Sequence, residues 1–308
     1  MAGQTTHDRN PTPGLEWPTL ALALVIYAGW LAATWYWRAL PLPLLFVAGG
    51  WLIAWQSSLQ HETIHGHPTR SRRFNEALGW PPLSLWLPYA SYRDSHTRHH
   101  RTGRLTDPLD DPESGYVSAA AWKKSGTITR ALASFQMTLL GRLTFGTLAM
   151  IFTTLRQELR AIVRGNGRRR RIWCAHMLGV ALVLLWVTQA CGMPLWLYLV
   201  AFVLPGAAMT RLRAFAEHRW AKRLDERTVV VESRLFGLLF LHNNLHVAHH
   251  LYPAAPWYRL PELYRELKIE LHGRQGRRVY RGYHEVAWRF LLRRYDTPRY
   301  PGRLSPDA

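Results

Sequence analysis

Apolar residues in this chain gather into four long runs, separated by short turns and by basic segments. Residues 17–37 are 21 positions without a charge, and 42–59, 172–190 and 194–210 repeat the pattern. At about 1.5 Å per helical residue, runs of this length cross a hydrocarbon core of about 30 Å. Residues 38–41 join the first two runs and 191–193 the last two, which predicts two helical hairpins. A kink is expected in the fourth span near Pro205 and Gly206. Two further apolar segments are poorer spans: 74–90 is broken by Pro81 and Pro82, and 128–160 carries Arg142 in its middle. On one helix, at about 100° per residue, Arg142, Arg156 and Arg160 share a face, so the second segment reads as an amphipathic helix in the membrane interface. The competing arrangement makes both segments spans, six in all. The fold class expected is an all-α membrane protein: four transmembrane helices in two hairpins, interfacial helices, and a histidine-lined helical cap.

Charge decides the setting. Lys and Arg number 39 against 20 Asp and Glu, a formal net charge of +19. So basic a chain could face nucleic acid, an anionic membrane or acidic partners. The apolar runs select the membrane, and no nucleic-acid partner is expected. Residues 60–171 carry 18 Lys and Arg, whereas the two hairpin turns have only Arg38 at their edges. The positive-inside rule therefore puts 60–171, 211–308 and both termini on the cytoplasmic side, in a multi-pass protein expected in a bacterial inner membrane. Residues 1–16 are polar and lack the features of a cleaved signal peptide, so they read as a flexible tail before an anchor, with 17–308 as a single domain. Cys174 and Cys191 lie about 25 Å apart on one helix and should not pair.

Twelve of the fifteen histidines fall between His61 and His250. They occur as His61-Glu-Thr-Ile-His65-Gly-His67, His96-Thr-Arg-His99-His100, Glu217-His218 and His242-Asn-Asn-Leu-His246-Val-Ala-His249-His250, with His176 alone inside the third span. Neutral imidazole binds Fe, Zn, Cu and Ni, and spacings of three and four place rings on one helix face. An isolated histidine is ordinarily a surface residue, as His7, His272 and His284 are expected to be; His176 reads as a packed or helix-bonded one. Repeated H-x-x-H-H boxes at the ends of apolar segments point instead to metal. Together with H-x-x-x-H they supply more nitrogens than one zinc can use. His61-Glu62-x-x-His65 also matches the H-E-x-x-H zinc protease signature, with Glu62 as base, but that reading leaves the other two boxes unexplained. A metal-binding or transport protein is a further alternative.

His218 follows the fourth run at a distance like that of His61, and it is read as a ligand. His67 and His242 are placed behind the ligands. Metal-bound histidines usually donate their second N–H to a carboxylate or carbonyl. Glu62, Asp94, Asp107, Asp111 and Glu217 are the candidate acceptors, and Asp107 and Asp111 have a second reading as Asp-Pro turn chemistry.

These boxes resemble those of the membrane fatty acid desaturase superfamily, which includes acyl-lipid desaturases, alkane and fatty-acid hydroxylases, and carotenoid ketolases. The resemblance runs from about residue 17 to 263. It is carried by His61-x-x-x-His65, His96-x-x-His99-His100 and His246-x-x-His249-His250, with Leu105-Thr-Asp-Pro, Tyr252-Pro and Pro256-Trp-Tyr-Arg-Leu-Pro261. It implies a nonhaem centre of two Fe ions, O2 as oxidant, and an external electron donor such as a ferredoxin or rubredoxin. The ligands implied are His61, His65, His96, His99, His100, His246, His249 and His250, with His218 as the family's extra histidine. Some members place an asparagine one turn before that histidine. Here the position is Ala214, and Asn243 or Asn244 is the conjectured substitute. All-imidazole ligation suits a redox metal that activates O2. The leading expectation is fatty acyl desaturation, followed by hydroxylation or ketolation of a lipid, alkane or carotenoid. The basic face would attract an acidic electron donor or acyl carrier protein, and residues 256–308 would cap the site.

Overall fold

The computed structural model describes residues 14–272 and 278–302, the side chains of 269–272 excepted. The readings made for His7, for the rest of the tail before residue 14, for the His272 side chain and for 303–308 lie outside the described residues.

Four helices are long and apolar enough to cross a membrane: Trp17–Trp35, Leu42–Ile64, Gly167–Ala190 and Leu195–Phe215. These are the four expected spans. The third begins earlier than its apolar run, because Asn166 Oδ1 accepts from the Arg169 amide at 3.0 Å and starts the helix among the arginines. The third and fourth each contain a π-helical stretch, Leu185–Ala190 and Leu199–Val203. In the fourth span this irregularity directly precedes Pro205, where the ring removes a backbone donor.

The second and fourth spans touch backbone to backbone. A Cβ on Gly49 would lie 2.5 Å from the Ala201 carbonyl, and one on Gly206 would lie 2.5 Å from Ile53 Cβ. Small residues at such a crossing let helices approach where lipid supplies no hydrophobic drive between them. Trp30, Leu45, Ile53, Val187, Tyr198 and Phe202 fill the space beside the crossing. Trp30 Nε1 donates to the Tyr198 hydroxyl at 3.0 Å, which donates to Leu83 O at 2.7 Å. At the other end Arg38 reaches Cys191 O at 3.3 Å and Gly192 O at 3.2 Å, holding the two hairpin turns together. The opposite ends of both hairpins therefore share one face of the molecule, and the histidine boxes lie there.

The proline-broken segment forms a short helix, Arg72–Gly79, followed by turns. Gln56 Nε2 donates to Pro81 O at 2.9 Å, and His176 Nε2 bonds Leu85 O at 2.9 Å, so the lone histidine is a packed residue as expected. The single interfacial helix expected over 128–160 is divided into Thr127–Phe135, Leu139–Leu143 and Phe145–Val163. Thr144, at φ −99° and ψ −97°, leaves the helical region between the last two. The break turns Arg142 inward to 7% exposure, so it does not share a face with Arg156 and Arg160.

The cap on the histidine face is built from His246–Leu251, Leu260–His272 and Tyr283–Phe290, with a two-residue parallel pairing of Val230–Val231 with Val279–Tyr280. Glu16, placed in the polar tail by sequence, is 2% exposed, and its amide donates to Pro68 O at 3.0 Å.

Candidate metal centre

Four chain segments deliver the nine histidines. His61 sits in the last turn of the second span and His65 is its C-cap residue. His96, His99 and His100 lie on the helix Tyr89–Arg101, and His246, His249 and His250 on His246–Leu251. His218 follows the fourth span, where the backbone pairs with Thr228.

The nine divide without remainder. His61, His65, His96, His100 and His249 form one group, and His99, His218, His246 and His250 the other, with the ligand atoms in each within 4.8 Å of one another. Helix geometry explains the division. Positions four apart stack on one face, so His96 and His100 go together and His246 and His250 go together. His99 and His249, three from the box's first histidine, turn toward the opposite group.

The donor set fits metal ions. In the second group the Nε2 atoms close a ring: His99 to His218 3.1 Å, His218 to His246 2.9 Å, His246 to His250 3.1 Å, and His250 to His99 3.3 Å. In the first group His65 and His96 are 3.0 Å apart, and His100 and His249 2.9 Å. On three of the nine rings the other nitrogen meets a side-chain oxygen. His99 Nδ1 is 2.8 Å from Asp111 Oδ1, His96 Nδ1 is 2.9 Å from Glu113 Oε1, and His246 Nδ1 is 3.0 Å from Asn243 Oδ1. A neutral ring that donates through Nδ1 keeps a bare lone pair on Nε2. Lone pairs facing each other repel unless a cation lies between them. Neighbouring nitrogens bound at about 2.0–2.1 Å to one ion stand about 3 Å apart, as these do.

Apart from His99, electrostatics favour the neutral, metal-binding form of those among the nine histidines that lie outside the spans. Burial, reinforced by neighbouring imidazoles, holds His65, His246, His249 and His250 well below the usual histidine range. Burial and then the His96 charge push His100 down to about 3, and burial with His99 does the same to His218. On His99 burial works in the same direction but is outweighed by Glu113 and the Asp111 hydrogen bond, which raise it to about 9. Neutral imidazole is the ligand form, and a carboxylate behind it raises its basicity.

Asp111 organises the loop after the second box. Its oxygens also accept the Thr106 amide at 2.8 Å and the Glu113 amide at 2.9 Å, so it serves both as turn former and as partner of His99. Asn243 connects the groups: its Nδ2 lies 3.2 Å from His61 Nε2 while its Oδ1 faces His246. Glu217 lies 3.6 Å from His246 Nδ1 and is held by Arg213 at 3.2 Å.

Other candidates stand elsewhere. Asp94 pairs with Arg168 at 2.7 Å and Arg169 at 3.5 Å. Asp107 accepts the Leu109 amide at 3.0 Å, which is turn chemistry. His242 stacks on Trp257, and Asn244 donates to Val231 O at 2.7 Å. Glu62 accepts the Trp257 amide at 2.8 Å and groups with Glu16 and His67 rather than with either set of grouped histidines. His67 Nδ1 meets Glu16 Oε1 at 2.6 Å. The sequence reading missed Glu113 and Glu16. Glu113 was signalled by its place two residues after Asp111 in the acidic loop; Glu16 carried no signal.

A cavity of about 700 Å³ opens beside His65 and is bordered by Arg70, Arg93, Arg98, Arg101 and Arg168.

A family model described as fatty acid desaturase matches residues 36–282. The chain is 27% identical over 278 residues to a beta-carotene ketolase of Paracoccus sp. (strain PC1), covering 83% of this chain and 93% of the relative. It is 26% identical over 273 residues to a beta-carotene ketolase of Paracoccus sp. (strain N81106 / MBIC 01143), covering 82% and 94%.

Proposed function

Because the chain belongs to the fatty acid desaturase family, we propose that it is an integral-membrane, O2-dependent oxidoreductase that attacks unactivated C–H bonds of an apolar substrate at a two-iron centre. The observation that carries this reading is the division of nine histidines from four segments into groups of five and four. One iron would be held by His61, His65, His96, His100 and His249, the other by His99, His218, His246 and His250. The chemistry such a pair supplies when bound is reduction of O2 for attack on C–H.

The protein's own residues do the positioning. Asp111, Glu113 and Asn243 each fix a ring by its Nδ1, so that Nε2 faces the group's centre. Asn243, between His61 and His246, would serve in place of the polar side chain that Ala214 lacks. The second span ends at the centre, so a substrate lying between lipid chains would reach it without crossing the headgroups.

The similarity to two beta-carotene ketolases, over 83% and 82% of the chain, favours ketone formation on a carotenoid-like substrate, ahead of the fatty acyl desaturation that the boxes alone suggested. Acyl desaturation stays as the second reading on the strength of the family match. Each oxidation needs electrons from outside the chain. The basic segment 60–171 supports a cytoplasmic centre, and the arginines around the His65 cavity suit an acidic ferredoxin- or rubredoxin-like donor. The test is expression in one host that accumulates beta-carotene and one that does not, each beside a His99→Ala control. A pigment that gains one oxygen and loses two hydrogens supports ketolation. Lipids that lose two hydrogens support desaturation. Products identical to the control in both hosts contradict both readings.

A further inference from the structure

A second, smaller cavity of about 50 Å³ lies among Glu113, Tyr116, Arg142, Arg211, His218 and Tyr295. Two of its walls are guanidinium groups without a carboxylate. Arg142 is 7% exposed and its guanidinium faces the Phe215 ring at 5.9 Å; its Nε donates to Gln136 O at 3.0 Å, and among the described residues its Nη2 has as hydrogen-bond acceptor only Met137 Sδ at 3.9 Å. Gly115 makes room for it, since a Cβ there would stand 3.2 Å from Arg142 Nη2. Among the described residues the buried Nε of Arg211 has no hydrogen-bond partner, nor has the hydroxyl of Tyr295, a residue 4% exposed.

The carboxylates around the cavity are committed elsewhere. Asp111 serves His99 at 2.8 Å, Glu113 serves His96 at 2.9 Å, and Glu217 serves Arg213 at 3.2 Å. Neither Arg142 nor Arg211 lies within 4.0 Å of an acidic group among the described residues. Charge taken out of water is costly unless it is paired, and buried donors nearly always find an acceptor. Among the described residues Arg211 Nε and the Tyr295 hydroxyl are left here without an acceptor, beside two cationic guanidinium groups.

We propose that this cavity binds one small monovalent anion, of the size of chloride or formate, between Arg142, Arg211 and the Tyr295 hydroxyl. A water's share of liquid volume is about 30 Å³, so a space of about 50 Å³ admits a single small ion. A lipid headgroup phosphate with its ester substituents is too large. The ion would tie Leu139–Leu143 to the end of the fourth span, beside the loop that carries Asp111 and Glu113. It therefore braces the segment from which His218 emerges, and the inference stands whether or not the reading of the substrate is right.

The experiment is thermal unfolding of the full-length, detergent-purified protein as isolated, with sodium chloride exchanged stepwise for sodium gluconate at constant ionic strength. The expected result is a saturable rise of roughly a few degrees in unfolding temperature with chloride. Arg142→Gln should abolish that dependence. Tyr295→Phe, which keeps the ring packed against Phe215 and Phe290, should shift the chloride midpoint upward by about tenfold or less, in keeping with one neutral hydrogen bond. If Arg142→Gln does not fold, Tyr295→Phe decides. A wild-type stability indifferent to the identity of the anion, or an unchanged chloride midpoint in Tyr295→Phe, overturns the proposal and leaves a cavity that holds only water.

Discussion

Asp111 Oδ1 stands 2.8 Å from Nδ1 of His99, the one residue of the pair that is wholly excluded from solvent. The pairing fixes the tautomer that points Nε2 at His218 and His250. Loss of such a partner typically lowers metal affinity about 10–100-fold. Asp111→Asn is expected to do so for the second histidine group while leaving the first loaded. Iron retained against a graded chelator series would measure it, and retention equal to wild type would remove the role assigned to Asp111.

Asn243 lies between His61 and His246, which belong to different groups. Asn243→Ala should therefore weaken retention of both metals together, unlike Asp111→Asn. The check is the shape of the chelation curve: a single shifted phase for Asn243→Ala, against two separated phases for Asp111→Asn.

Glu16 and His67 are 2% and 3% exposed and meet at 2.6 Å, joining the start of the first span to the segment after the second. Removing one partner of a buried pair costs about 3–5 kcal/mol. Glu16→Ala is expected to lower the unfolding temperature clearly, whereas the exposed Arg72→Ala, whose pair with Glu76 is at the surface, should change little. Equal effects would mean that the first span is not anchored here.

Gly206 faces Ile53 with no room for a side chain. Overpacking of this kind costs about 1–3 kcal/mol and moves backbone. Gly206→Val should part the second and fourth spans, which carry His61 and lead to His218, and lower both stability and iron content. Gly126→Ala, in open space, serves as control and should leave both unchanged.

Much of this architecture was legible in the chain itself. The spans follow from uninterrupted apolar length, and eight of the nine grouped histidines stand out by their spacing in boxes, because both are local properties. What was not legible depended on contacts across the fold. Arg142 looked like one member of a polar stripe until the break at Thr144 turned it inward. Asp94 had the right position beside His96, but the arginines at the start of the third span claim it. Glu16 acquires its role only because the chain folds back to bring His67 against it. The allocation of His99 and His249 to opposite groups from their nearest box neighbours likewise requires the three-dimensional meeting of two short helices.

The central claim is a pair of iron ions held by these nine histidines, and elemental analysis of protein purified from iron-replete cells tests it most directly. The account predicts about two iron atoms per chain, with about one remaining in His250→Ala. One zinc and no iron in the wild-type protein would contradict it.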